Sequence, residues 1–211
     1  TTVYLLVPDG PFRKKGQGIS ISSLPDAFKN RGLTSAAFGY FGYMWELYTF
    51  WAFVPVMLTA YKARYADAHI NVPLYSFLTI ASGALSCAGV GMISGRSGLK
   101  KTAVVCLATS GICCMLSPFF LFYPDVHVLM AFLFVWGMSV AADSPIFSAL
   151  VARHAPVTSK GSTLTLVNCI GFSITVVSIQ VLTAATGTVS ERYIYMLLGA
   201  GPALGLLGLY L

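Results

Sequence analysis

From residue 34 onward the chain is a series of long apolar runs separated by short polar breaks. The runs cover residues 34–61, 72–95, 102–122, 126–151, 161–186 and 193–211. Each is close to the roughly 20 residues that cross the hydrocarbon core of a bilayer as a helix. Tyr123-Pro124-Asp125 is a tight turn, so the third and fourth runs are antiparallel neighbours, and residues 187–192 join the fifth and sixth in the same way. Segments joined this closely in lipid must satisfy their backbone internally, which requires helices, and the alternation of a membrane β-barrel strand is absent. The pattern predicts an all-α, polytopic membrane protein with six transmembrane helices, arranged as two inverted three-helix repeats over 34–122 and 126–211.

Composition agrees with this reading. Apolar residues make up 56% of the chain and charged residues only 9%, against about a quarter charged in a soluble domain. That balance excludes a soluble enzyme domain and a disordered tail. The five cysteines lie inside apolar runs without metal-ligand spacing and read as packing residues. The sequence predicts no metal site and no cofactor.

The net charge of +6 reports topology before any nucleic-acid partner. Arg13, Lys14, Lys15, Lys29, Arg31, Arg96, Lys100, Lys101, Arg153 and Lys160 fall on one side of the predicted bundle. Lys62, Arg64 and Arg192 fall on the other, which together accounts for all 13 basic residues. The richer side is predicted to be cytoplasmic, which puts both ends of the segment in the cytoplasm. Residues 8–33 are polar and basic. Within them, 22–31 reads either as a short amphipathic helix on the membrane surface, with Leu24 and Phe28 on one face and Pro25 in its first turn, or as a plain loop. The apolar stub at 3–7 and the apolar finish at Leu211 lead to the expectation of a segment from a longer protein.

Between the second and third runs stands Gly91-Met92-Ile93-Ser94-Gly95-Arg96-Ser97-Gly98-Leu99-Lys100-Lys101. Gly95 and Gly98 suit a sharp turn, Gly91 suits close helix approach, and the cations hold the loop to the inner side. This stretch resembles the loop signature of the major facilitator superfamily, G-x-x-x-D-R-x-G-R-R/K-R/K. Gly91, Arg96, Gly98, Lys100 and Lys101 match it, while Gly95 replaces the acid and Leu99 the first basic position. Trp45-Glu46-Leu47-Tyr48 and Ala142-Asp143-Ser144-Pro145 also resemble a bacterial subgroup of that superfamily. The resemblance implies that residues 34–211 are the C-terminal six-helix half of a secondary transporter in the bacterial inner membrane. It implies that 1–33 belong to the cytoplasmic linker from an N-terminal six-helix half, which is then the main partner. The matched loop residues would form a cytoplasmic gate motif, weakened by the missing acid.

Glu46 and Asp143 are the only ionisable residues deep in any run, and a charge there costs several kcal/mol. Both sit roughly 15–18 Å from the cytoplasmic side at 1.5 Å per residue. The resemblance places them on two helices that line a central cavity. Tyr43, Thr49 and Phe50 lie one turn either side of Glu46, with Tyr43 and Phe50 as walls of the same pocket. On the fifth run Thr165, Asn168 and Thr175 fall near one face. Each acid reads either as a carrier of substrate or proton, or as a structural hydrogen bonder that locks helices together; the Ser144-Pro145 that follows Asp143 is a candidate local break. Thr79, Ser82, Gly83, Ser86 and Gly89 form a small-residue stripe that reads as a packing seam. The expected function is secondary active transport of a small solute by alternating access, with proton coupling and a cationic or neutral cargo favoured by the absence of deep Lys or Arg. The alternatives are a membrane-embedded enzyme or a channel. For these the chain has no H-E-x-x-H, no G-x-S-x-G, no paired-Asp protease motif and no filter-like loop.

Overall fold

Three helices of this chain begin where a short polar side chain occupies the first free N–H groups. Asn30 accepts from the N–H groups of Gly32 and Leu33, at 2.9 and 3.4 Å. Asn71 accepts from Leu74 at 3.2 Å and Asp125 from His127 at 2.7 Å. Each such cap is worth about 1 kcal/mol. The computed structural model describes residues 28–65 and 68–210. Six α-helices follow in order: α1 Arg31–Arg64, α2 Val72–Ser97, α3 Leu99–Phe120, α4 Val126–His154, α5 Lys160–Ala185 and α6 Ala200–Leu209. A 3-10 helix, Ile194–Gly199, leads directly into α6. Among the described residues there is no strand, only an isolated bridge between Thr186 and Val189. The expected linker before residue 28, with most of its 22–31 helix, lies outside the described residues.

Four helices, α2 to α5, are long and apolar enough to cross a membrane, and they mark the chain as an integral membrane protein. The other two expected spans differ. At 34 residues α1 is the longest helix, but Glu46 and its many Tyr, Trp and Gly residues dilute its hydropathy. Its polarity fits its place: α1 packs against α4, α5 and α6, and Leu33, Met44, Phe50, Val54 and Leu58 are fully buried. The last expected span is a short apolar segment, Ile194–Leu209, split between two helix types. Pro202 explains the split. It has no N–H to give, and starting α6 at Ala200 places it in the first turn, where none is needed.

The packing follows a regular scheme. The main contacts of α1 are with α6, α5 and α4, and those of α4 are with α2, α3 and α1. At one end Arg31, Lys100, Arg153, His154 and Tyr210 come together. At the other end the Tyr61 and Tyr65 hydroxyls donate to the Tyr123 and Phe122 carbonyls, at 3.0 and 2.7 Å. Arg64 pairs there with Glu191 at 3.0 Å, with its guanidinium 3.7 Å from the centre of the Phe122 ring. Successive helices therefore run in alternate directions.

Close crossings depend on small residues. A Cβ on Gly42 would lie 2.5 Å from the Gly201 carbonyl oxygen and 2.7 Å from the Gly205 Cα, so α1 and α6 meet backbone to backbone. The predicted seam on α2 faces α4, where Thr79, Gly83 and Ser86 are buried and Gly83 abuts Ala141. Gly89 faces open space.

Candidate functional site

α4 runs unbroken from Val126 to His154 through Pro145, so the expected local break beside Asp143 is not there. A proline in mid-helix frees the carbonyl four residues before it. The Ala141 carbonyl, freed in this way, accepts from the Cys87 thiol of α2 at 3.2 Å. Pro118 frees the Cys114 carbonyl in α3, which accepts from Ser117 Oγ at 2.7 Å. Both freed carbonyls are thus satisfied by neighbouring side chains, and α4 keeps Asp143 inside the bundle.

Glu46 is 1% exposed and lies between α1, α3 and α4. Its Oε1 accepts from Trp136 Nε1 at 2.7 Å and from Cys114 Sγ at 3.2 Å. Its Oε2 accepts from Ser110 Oγ at 2.8 Å. The Ser110 oxygen also lies 3.1 Å from the Leu107 carbonyl. A hydroxyl has one hydrogen to give, and this one has two acceptors in reach. With Glu46 ionised, Ser110 donates to Oε2. With Glu46 protonated, Oε2–H donates to Ser110, which turns its hydrogen to Leu107. Either protonation state leaves every group of the set partnered.

Asp143 is equally buried, but neither carboxyl oxygen has a hydrogen-bond partner among the described residues. An ionised carboxylate there lacks the donors that offset its desolvation. The surroundings of the two acids are opposite: three donors at one, none among the described residues at the other.

The remaining expected site residues fall in several places. Tyr43 stacks on Phe147, with ring centroids 5.7 Å apart and planes 10° apart, and its hydroxyl reaches Ser144 Oγ at 3.5 Å. Phe50 packs on Trp136 at 4.7 Å and so supports the indole that donates to Glu46. Both rings form layers in the α1–α4 contact. Thr49 donates to Ser178 Oγ at 2.9 Å, and Ser178 donates to the Trp45 carbonyl at 2.6 Å, tying α1 to α5. The expected stripe on α5 divides. Thr175 is buried and donates to the Met44 carbonyl at 2.9 Å, whereas Thr165 and Asn168 are exposed. The α1–α5 contact is centred on Gly171, whose missing side chain makes room for Tyr40, and Asn168 lies beyond it.

In the loop motif only Gly98 has the left-handed backbone a turn needs, with φ of 86°. Gly95 and Arg96 are in the last turns of α2, and Gly91 and Gly95 face open space rather than a close helix approach. Lys100 and Lys101 open α3 and are exposed. Ser110, Cys114 and Trp136 were not expected at the site. The spacing of Ser110 and Cys114 by one helical turn puts them on one face, but only the packing of α3 against α4 and α6, which both also pack on α1, aims that face at Glu46.

No family model matches the chain, and no curated protein is similar to it.

Proposed function

We propose that this chain is the C-terminal six-helix half of a secondary transporter of the major facilitator type, with Glu46 as its proton-carrying residue. The observation that carries the reading is the Glu46 set, in which Ser110 serves ionised and protonated carboxyl alike. A residue that loads and releases a proton during a transport cycle needs such an arrangement, because a buried polar group left unpaired costs about 1–3 kcal/mol.

The packing scheme supports the architecture. Exchanging α1 with α4, α2 with α5 and α3 with α6 maps the α1–α5 contact onto α4–α2, and α1–α6 onto α4–α3. Because α1 and α4 run in opposite directions, an axis relating the two units would lie in the membrane plane, as in inverted-repeat transporters. On this reading α1 and the Ile194–Leu209 segment are the remaining spans, and the basic end is cytoplasmic in a bacterial inner membrane. The exposed apolar residues of α2 and α5, among them Phe77, Leu85, Phe172 and Val176, would then flank an N-terminal half, with Asn168 and Thr165 opening toward the solute path. Asp143 is the second, donor-free acid of the same core.

The test uses the full-length protein in sealed vesicles loaded with a pH-sensitive dye and challenged with small cationic and neutral solutes. A solute that the wild type accumulates under an imposed proton gradient should be exchanged but not accumulated by Glu46→Gln. Equal accumulation by Glu46→Gln would remove Glu46 from the mechanism.

A further inference from the structure

Three cationic side chains and a histidine surround a cavity of about 440 Å³ at the basic end of the bundle. Arg31 comes from the first turn of α1, Lys100 from the first turn of α3, and Arg153 and His154 from the last turn of α4. Ser35 and Tyr210 complete the wall, with the Lys100 ammonium 5.5 Å from the Tyr210 ring centre. Among the described residues no acidic side chain lines the cavity. Arg31, Lys100 and Arg153 have no ion-pair partner among the described residues, where Arg64 and Glu191 pair at the opposite end.

Part of this arrangement has an ordinary explanation. Cations favour the cytoplasmic side of a membrane protein, and Arg153 and His154 sit at a helix C-terminus, whose dipole welcomes positive charge. The first also covers Arg31 and Lys100 lying at this end, but neither accounts for their lining one cavity with Arg153. Both stand at helix N-termini, where the dipole opposes them, and both turn toward a concavity that already holds Arg153. Three like charges around one cavity call for an anion.

A second cavity begins one turn further along the same two helices. Ser35 of α1 and Leu209 of α6 border the basic cavity, while Phe38 and Gly208 border a groove of about 690 Å³ between α1, α5 and α6. Phe41, Trp45, Ile170, Ile174, Leu204 and Leu207 give this groove an apolar lining, and among the described residues no charged one contributes to it. In a membrane-spanning bundle such a groove faces acyl chains. The cavities share no lining residue, and the Phe38–Gly208 contact stands between them; a phosphate in one and a hydrocarbon chain in the other, joined across that contact, matches a phospholipid.

We infer that the two cavities together bind one anionic phospholipid, with its phosphate among Arg31, Lys100 and Arg153 and an acyl chain along the α1–α5–α6 groove. The site is separate from the Glu46 set and holds whether or not the bundle carries protons. A bound lipid would tie the starts of α1 and α3 to the ends of α4 and α6, contributed by both three-helix units.

The experiment measures thermal unfolding of the delipidated full-length protein in detergent. Phosphatidylglycerol, phosphatidylcholine and inorganic phosphate are titrated separately. Phosphatidylglycerol should stabilise at concentrations at least about tenfold lower than phosphatidylcholine, given about 1 kcal/mol per cation near an anionic lipid, and inorganic phosphate should have little effect. Arg31→Gln/Lys100→Gln/Arg153→Gln should abolish the preference. Lys62→Gln/Arg192→Gln, at the other end, should keep it. Ser173→Trp, an exposed position on α5 that lines the groove, should weaken phosphatidylglycerol by a similar factor. If the triple variant fails to fold, Lys100→Gln alone, at an exposed position, should still shift the titration several-fold. Equal stabilisation by both lipids would overturn the proposal, as would a full effect of inorganic phosphate or equal losses in the Lys62/Arg192 variant.

Discussion

A carboxyl group inside a membrane protein is tolerated only on the terms its neighbours set, and the two acids here live on different terms. Trp136 supplies the shortest hydrogen bond to Glu46, at 2.7 Å. Phe132 and Phe50 hold its ring, at 5.5 and 4.7 Å. Trp136→Phe keeps most of that packing and removes the N–H. The expected cost is about 1–3 kcal/mol in thermal or denaturant unfolding. In a Glu46→Leu background the same change should cost much less, because no carboxyl is left to be deprived. Equal losses in both backgrounds would make Trp136 a packing residue and nothing more. Glu46 and Asp143 were legible in the sequence because they are the only ionisable residues deep in apolar runs. Their difference was not. The donors to Glu46 are an ordinary Ser, Cys and Trp placed 64 to 90 residues away, and nothing local distinguishes them from residues that face lipid. For the same reason the Cys87 and Cys114 thiols read as simple packing groups, whereas each donates a hydrogen bond to a group that needs one.

Among the elements, the apolar runs match α1 to α5 within a few residues, whereas the last run holds a 3-10 helix followed by a short α-helix. The helix at the centre of the bundle, α1, is less apolar than those around it. Its face toward α6 is built on Gly42, Gly39 makes room for Phe147 of α4, and Tyr43, Thr49 and Glu46 meet α4 and α5. A helix enclosed by protein can be rich in such residues, whereas one facing lipid cannot. The α1–α6 crossing shows what this requires. Gly201 and Gly205 form a small-xxx-small pair whose backbone rests on Gly42, and a Cβ on Gly205 would meet the Leu107 side chain at 2.9 Å and the Gly42 Cα at 3.3 Å. Gly205→Val would push α6 off both α1 and α3. The expected result is a loss of several kcal/mol, in the range of overpacked cores, seen as a lower unfolding temperature and as aggregation on size-exclusion chromatography. Gly89→Val, with open space around it, is the matched control and should leave both unchanged. A wild-type-like Gly205→Val would mean that the two helices do not approach this closely.

At the scale of the whole molecule, alternation of helix direction and asymmetry of charge make one joint statement, and it can be broken experimentally. Adjacent helices joined by breaks as short as Gly98, the single residue between α2 and α3, must reverse. The junction at Ser97 and the turn at Thr188 then lie at opposite ends of the bundle. Ser97 lies next to Arg96, Lys100 and Lys101, and Thr188 lies near Glu191 and Arg192. The charge asymmetry predicts a cytoplasmic location for the cation-rich end, because translocating each positive charge is opposed by the membrane potential, at about 2.3 kcal/mol per 100 mV. Both positions are exposed. With the exposed Cys169 replaced by Ser, Ser97→Cys and Thr188→Cys should each react with a membrane-impermeant maleimide from one side only, and from opposite sides. Thr188→Cys should label in intact cells, and Ser97→Cys only in inside-out vesicles. Labelling of both from the same side would break the up-down order of the helices. Labelling from opposite sides but in the reverse sense would keep the helix order and invert the molecule, placing the cavity of Arg31, Lys100 and Arg153 on the outer leaflet.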